Sequence, residues 1–165
     1  MTYSDILGHI KTIDQARDFL YEIDMLLEEL FKAENDAFEK KLNSISVLTS
    51  QVIKEAILKE NIGLENKNMI KEYLIGLKEQ LQNLKTIKLS IFFEPSADLI
   101  DNLFSWVLKN QGTGIVLDIK TDKSILGGIT VEFEGKYKDL TLKKTLEEAF
   151  VSKREEIMGL QEYQT

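Results

Sequence analysis

Asp122–Leu142 reads DKSILGGITVEFEGKYKDLTL, and this stretch decides the fold. Ile129, Val131 and Phe133 alternate with Thr130, Glu132 and Glu134, the period-two pattern of a half-buried strand. Gly127 and Gly128 open that strand. Two glycines leave no side chain to pack, so they mark a bulge or a close backbone approach. Gly135 allows a return, and Asp139 and Thr141 are both placed to cap a helix beginning near Leu142. The stretch spells a turn, a strand, a tight return and a helix start. It holds no catalytic chemistry.

Upstream, the period changes at Thr86. Ile87, Leu89, Ile91 and Phe93 alternate with Thr86, Lys88, Ser90 and Phe92, and Pro95 ends that strand. Ser96 and Asp98 start a helix with Ile100, Leu103, Phe104 and Val107 facing inward and Trp106 beside them. Ile115, Leu117 and Ile119 share one face of the next strand, which the Asp122–Ser124 turn delivers to the Gly-Gly strand. The strands on either side of that turn are expected to pair antiparallel. The strands at 87–93 and 115–120, joined through a helix, are expected to be parallel.

The first dozen residues are weakly patterned. From Ile13, with Thr12 or Asp14 as cap, Ala16, Phe19, Ile23, Leu26, Leu30, Ala33 and Ala37 follow a three-four spacing that predicts one long helix. Leu20, Leu27, Phe31 and Phe38 widen its apolar stripe. A second helical run around Val52–Leu58 closes at Asn61-Ile62-Gly63. A third, from Asn66 to Leu84, carries Ile70, Tyr73, Leu74, Leu77, Leu81 and Leu84 on one face, and Gly76 within it suggests close packing. The final helix, from Leu142, is expected to bury Leu142, Leu146, Ala149 and Phe150. The fold class expected is α+β: a helical region over 1–84, as a hairpin or small bundle, then a β-α-β-β-α module over 85–165.

The 165 residues are 43% hydrophobic and 30% charged, the composition of a folded chain. A formal charge of -7 argues against a nucleic-acid surface, where a basic patch is expected. No run is long and apolar enough to span a membrane, and MTYSDILGHIKTID lacks the plan of a secretory signal. Cysteine is absent, which removes thiolate nucleophiles and zinc-thiolate sites. His9, the single histidine, lies in the weakly patterned segment and reads as solvated. Gly112-Thr113-Gly114 and Gly127-Gly128 lack the lysine and hydroxyl residue of a phosphate loop. Asp118, Asp122 and Asp139 each have a local use as strand, turn or cap residue. No catalytic residue, cofactor site or metal site is expected.

The run Asp122, Ser124, Ile125, Leu126, Gly127, Gly128, with Asp139 and Thr141 beyond an alternating strand, resembles the C-terminal motif of the delta subunit of F-type ATP synthases, the oligomycin-sensitivity-conferring protein family. The resemblance extends from about Lys85 to Phe150. It implies a non-catalytic stator subunit that joins the stalk b-subunit helices to the alpha–beta head. It also implies a cytoplasmic location, attached peripherally to the inner face of the plasma membrane through the complex, with no nucleic acid and no small-molecule substrate. Asp122, Ser124, Gly127, Gly128, Asp139 and Thr141 match the motif and are assigned to shaping the module. The family's N-terminal domain is a bundle of six helices, whereas about 85 residues here read as fewer, longer helices.

Two apolar surfaces are candidates for partners: Phe19, Ile23, Leu27, Leu30 and Phe31 on the first long helix, and Phe150 and Ile157 on the last. Packing on the helix at 66–84 is the internal alternative for the first of these. Two further readings stay open. The chain also resembles the peripheral-stalk E subunit of vacuolar and archaeal ATPases and the related flagellar export regulator, although Asp139-Leu140-Thr141 stands where E subunits place an asparagine-threonine pair. A stand-alone helical adaptor using the heptad seam is the other.

Overall fold

Thr12 opens the first long helix by accepting a hydrogen bond from the Gln15 backbone N–H on its side chain, which satisfies one of the free donors at a helix start. The computed structural model describes residues 3–32 and 36–161, with side chains as far as 153. Among the described residues five helices precede the first strand: α1 (Ser4–Leu7), α2 (Ile13–Glu29), α3 (Ala37–Leu42), α4 (Val47–Lys59) and α5 (Lys67–Gln82). Then come β1 (Lys85–Ile91), α6 (Ala97–Gln111), β2 (Ile115–Thr121), β3 (Gly128–Phe133), β4 (Lys136–Thr141) and α7 (Leu142–Gln161). The fold is α+β, as the sequence predicts.

The helical region departs from the expected long rods. The apolar spacing runs on from Leu30 to Phe38, yet α2 ends at Glu29 and α3 begins at Ala37. Leu30, Phe38 and Leu42 nevertheless join the same core as Ile23 and Leu26. A straight helix rises 1.5 Å per residue and would carry Phe38 some 20 Å beyond Ile23. Two helices packed against each other satisfy the same pattern. Ala33, also read as part of that helix, lies outside the described residues. The weakly patterned first residues are structured as well, with Ile6, Leu7 and Ile10 buried.

Most other boundaries were written locally. Asn66 caps α5 by accepting from the Met69 N–H. Asn61 ends α4 in the left-handed region, with φ 53°, and the Ile62 N–H donates to the Ile57 carbonyl at 3.0 Å, the closing bond of a Schellman motif. Gly76 sits where a Cβ would run into the Tyr3 hydroxyl, the close approach its position suggests.

Two compact units emerge, one comprising 1–86 with 101–116, the other 87–100 with 117–165. In the first, Phe19, Ile23 and Leu26 of α2 meet Ile53 and Ile57 of α4 and Ile70, Leu74 and Leu77 of α5 in one core cluster. The four strands are ordered β2-β1-β3-β4. The Lys85 N–H donates to the Gly114 carbonyl at 2.9 Å, and the Asp122 N–H donates to the Ile91 carbonyl at 2.8 Å. Starts therefore adjoin starts and ends adjoin ends, so β1 and β2 run parallel.

Three features of the sheet correct the sequence reading. The strands flanking the Asp122–Ser124 turn do not pair with each other: β1 lies between them and pairs antiparallel with β3, Leu89 opposite Val131. Adjacency in sequence favours a hairpin, but the buried residues of β1 (Ile87, Leu89 and Ile91) take the central position. Residues 136–141, read as a return, form a fourth strand antiparallel to β3. Phe93 lies beyond the end of β1 and is exposed.

Candidate functional site

Glu134 and Gly135 turn the chain with positive φ at both positions, 48° and 74°, between the paired residues Phe133 and Lys136. That is a two-residue hairpin turn of the primed kind, whose twist matches the strands. Its register sets Gly128 opposite Thr141 and Thr130 opposite Asp139. The two halves of the motif, with residues 129–138 between them, thus become neighbours.

What each motif residue does is then visible. Gly128 has φ 87°, and a Cβ there would stand 2.8 Å from the Thr141 Cα and closer still to the Leu140 carbonyl oxygen. Gly127, with φ 68°, presents its carbonyl to the Leu142 N–H at 3.0 Å and so receives the first residue of α7. Asp139 accepts from the Thr141 N–H at 2.9 Å, and the Thr141 hydroxyl oxygen accepts from the Lys144 N–H at 3.4 Å. The Thr141 hydroxyl and backbone hydrogen bonds hold the Asp139 carboxyl below its ordinary value. Asp122 works likewise one turn earlier. Its carboxylate accepts from the Ser124 hydroxyl at 2.6 Å and the Ser124 N–H at 2.9 Å, and these bonds lower its pKa, the hydroxyl first. Asp118 pairs with Lys120 at 3.8 Å. The three aspartates have separate local partners, and no group of residues able to hold a metal occurs among the described residues.

The corner aims α7, and α7 differs from expectation. Leu142, Leu146 and Phe150 are exposed, at 51%, 40% and 72%, with Val151 beside them. Ala149 is exposed too. Spacing of four along a helix puts Leu142, Leu146 and Phe150 on one face. The face expected to be internal is therefore an open apolar stripe. A pattern shows that a face is apolar; it does not show what covers it.

The α2 candidates divide the other way. Phe19, Ile23 and Leu30 lie in the core, 2%, 0% and 1% exposed, and Leu27 packs against it. The internal alternative holds there: the first three are buried, and Leu27 is half-buried. Phe31 remains outside, 54% exposed, with the Lys71 ammonium 5.5 Å from its ring centre. Ile157 lies outside the residues whose side chains are described. Trp106, placed beside the inward face of its helix, is 61% exposed, while Phe104 and Val107 are buried.

A polar joint escaped the sequence reading. The Glu22 carboxylate on α2 accepts from the Ser46 N–H and the Ser46 hydroxyl, both at 2.8 Å, and from the buried Thr49 hydroxyl. It caps the start of α4 from 24 residues away. Ser46 was legible as a cap by type; its partner was not.

The family model for the ATP synthase delta (OSCP) subunit matches residues 5–149. No curated protein matches the chain in sequence. Among solved structures, a chain in the cryo-EM structure of the Polytomella F-ATP synthase, primary rotary state 3, is similar at 20% identity and a TM-score of 0.40, covering 46% of this chain and 98% of that one.

Proposed function

The chain belongs to the ATP synthase delta (OSCP) family, and on that premise we propose that it is a non-catalytic stator, tying the stalk b-subunit helices to the alpha–beta head during proton-driven ATP synthesis. The observation that carries this reading is the exposed stripe of Leu142, Leu146 and Phe150 on α7. An apolar helix face left exposed among the described residues suits a partner helix laid along it. The Gly-Gly corner supports the reading by fixing where that helix starts. A joint that resists torque needs slow dissociation and a broad interface rather than a chemical site.

We assign the stalk contact to the module over 85–165 and the head contact to the helices over 1–84. No helix among the described residues is long and apolar enough to cross a membrane. Attachment to the inner face of the plasma membrane, on the cytoplasmic side, would come through the complex.

The test is co-purification of the tagged chain from its own solubilised membranes, alongside Phe150→Asp. Phe150 is 72% exposed, so the variant keeps the fold, as circular dichroism would verify. Recovery of b, alpha and beta subunits by the wild type, with b lost from the variant, is the expected result. Failure of the wild type to recover any of them would overturn the proposal.

A further inference from the structure

The charges of α7 are ordered so that the helix complements itself. Leu142, Leu146 and Phe150 recur every four residues and are all exposed. With about 3.6 residues to the turn, Lys143 and Glu147 lie along one flank of that stripe, whereas Lys144 and Glu148 lie on the far side of the helix. Lys143 is paired with Glu147 at 3.9 Å and Lys144 with Glu148 at 4.0 Å. Every one of these side chains is at least 50% exposed, so the pairs are weak and free to exchange. Set antiparallel to a copy of itself about a two-fold axis at Leu146, α7 brings Leu142 opposite Phe150 of the copy and Leu146 opposite its equivalent. Lys143 of each helix then reaches Glu147 of the other, twice by symmetry. A parallel pairing in register would instead set lysine against lysine and glutamate against glutamate, and is disfavoured.

We propose that, in the unassembled protein, α7 pairs antiparallel with α7 of a second copy of this chain and buries the stripe of Leu142, Leu146 and Phe150. An exposed apolar stripe on a free chain is an aggregation liability. A two-fold contact uses the same patch on both copies, so it closes at two and leaves no stripe to recruit a third. Three apolar residues a side make a small interface, and the dimer forms and dissociates with concentration. It occupies the face that a stalk helix would need, so the two states exclude each other. The inference goes beyond the stator reading and does not rest on it, because self-pairing is a property of the chain alone.

Sedimentation equilibrium of the purified full chain, at concentrations up to about 1 mM, tests this. The wild type should pass from monomer to dimer and go no further. Lys143→Glu and Glu147→Lys each set two like-charged pairs across the axis, and each should weaken self-association by about tenfold. Mixed in equal amounts, the two variants should associate again, because every cross-helix pair then joins opposite charges. Lys144→Glu, on the far side of α7, should dimerise as the wild type does. Circular dichroism verifies the fold of each variant, and recovery in the mixture shows directly that both are folded. A wild type that stays monomeric, growth beyond the dimer, no recovery in the mixture, or an equal loss from Lys144→Glu would each overturn the proposal. Recovery of b subunit from solubilised membranes reads the stator reading separately, so the two fail independently.

Discussion

Gly128 and Thr141 face each other across the β3–β4 ladder with too little room for a side chain on the glycine: an added Cβ would stand 2.8 Å from the Thr141 Cα. At Gly127, one residue earlier, an added Cβ would make only ordinary van der Waals contact, with the Leu142 Cβ at 3.7 Å. Both have positive φ, which costs an L-residue roughly 1–2 kcal/mol. Gly127→Ala should therefore lose about that much, and Gly128→Ala clearly more, because backbone atoms must move as well. Paired denaturant melts check the order. Equal losses would mean that strain alone, without the close approach, explains the pair.

Asp139 makes a pH-dependent contribution. Its carboxyl is held below the ordinary value of 3.8 by the Thr141 hydroxyl and backbone hydrogen bonds. A depressed folded pKa gives stability that is present above the unfolded value and is lost as pH falls through the folded one. Thermal melts of wild type should therefore fall more steeply below about pH 4 than those of Asp139→Asn. The asparagine keeps the capping oxygen but does not titrate.

Tyr73 is fully buried, and its hydroxyl has no hydrogen-bond partner among the described residues. An unpaired buried hydroxyl is a cost, so Tyr73→Phe should be neutral or stabilising, by up to about 1 kcal/mol. Burial first, then the neighbouring Tyr3, Glu60 and Asp5, push the Tyr73 pKa up to about 12 from 10.0. Between those values the unfolded tyrosine is ionised and the folded one is not. Stability should fall as pH rises through that window, and Tyr73→Phe should remove this part of the alkaline loss. Denaturant titrations at a series of pH values read both effects.

The residues first considered together on the first long helix, Phe19, Ile23, Leu27, Leu30 and Phe31, should separate on truncation. Ile23, at 0% exposure in the core cluster, should cost about 2–5 kcal/mol as alanine. Phe31, exposed and touching Lys71 through its ring, should cost no more than about 1 kcal/mol. Chemical denaturation distinguishes them, and similar losses would place Phe31 in the core after all.

Glu22→Ala should cost about 1–3 kcal/mol, since it leaves the buried Thr49 hydroxyl without its acceptor. Ser46→Ala should cost about 1 kcal/mol as a lost cap. The double variant should lose less than the sum. A strictly additive cycle would show that the carboxylate does not act through the cap.

The sequence by itself determined the local grammar. Caps at Thr12, Asn61 and Asn66 and the aspartate turns at Asp122 and Asp139 depend on neighbours within a few residues, so their chemistry is written where they stand. The Gly-Gly motif carried the family as well, because its spacing records the backbone approach that Gly128 permits. Only the tertiary structure decided partners distant in the chain. Whether α2 continued past Glu29, which strand lay beside β3, and whether the faces of Phe19 or Phe150 were covered all turned on competing apolar contacts. Periodicity specifies that a face is apolar, and burial goes to whichever faces pack together best. For α2 that was the helical core; for α7, Phe150 stays exposed among the described residues.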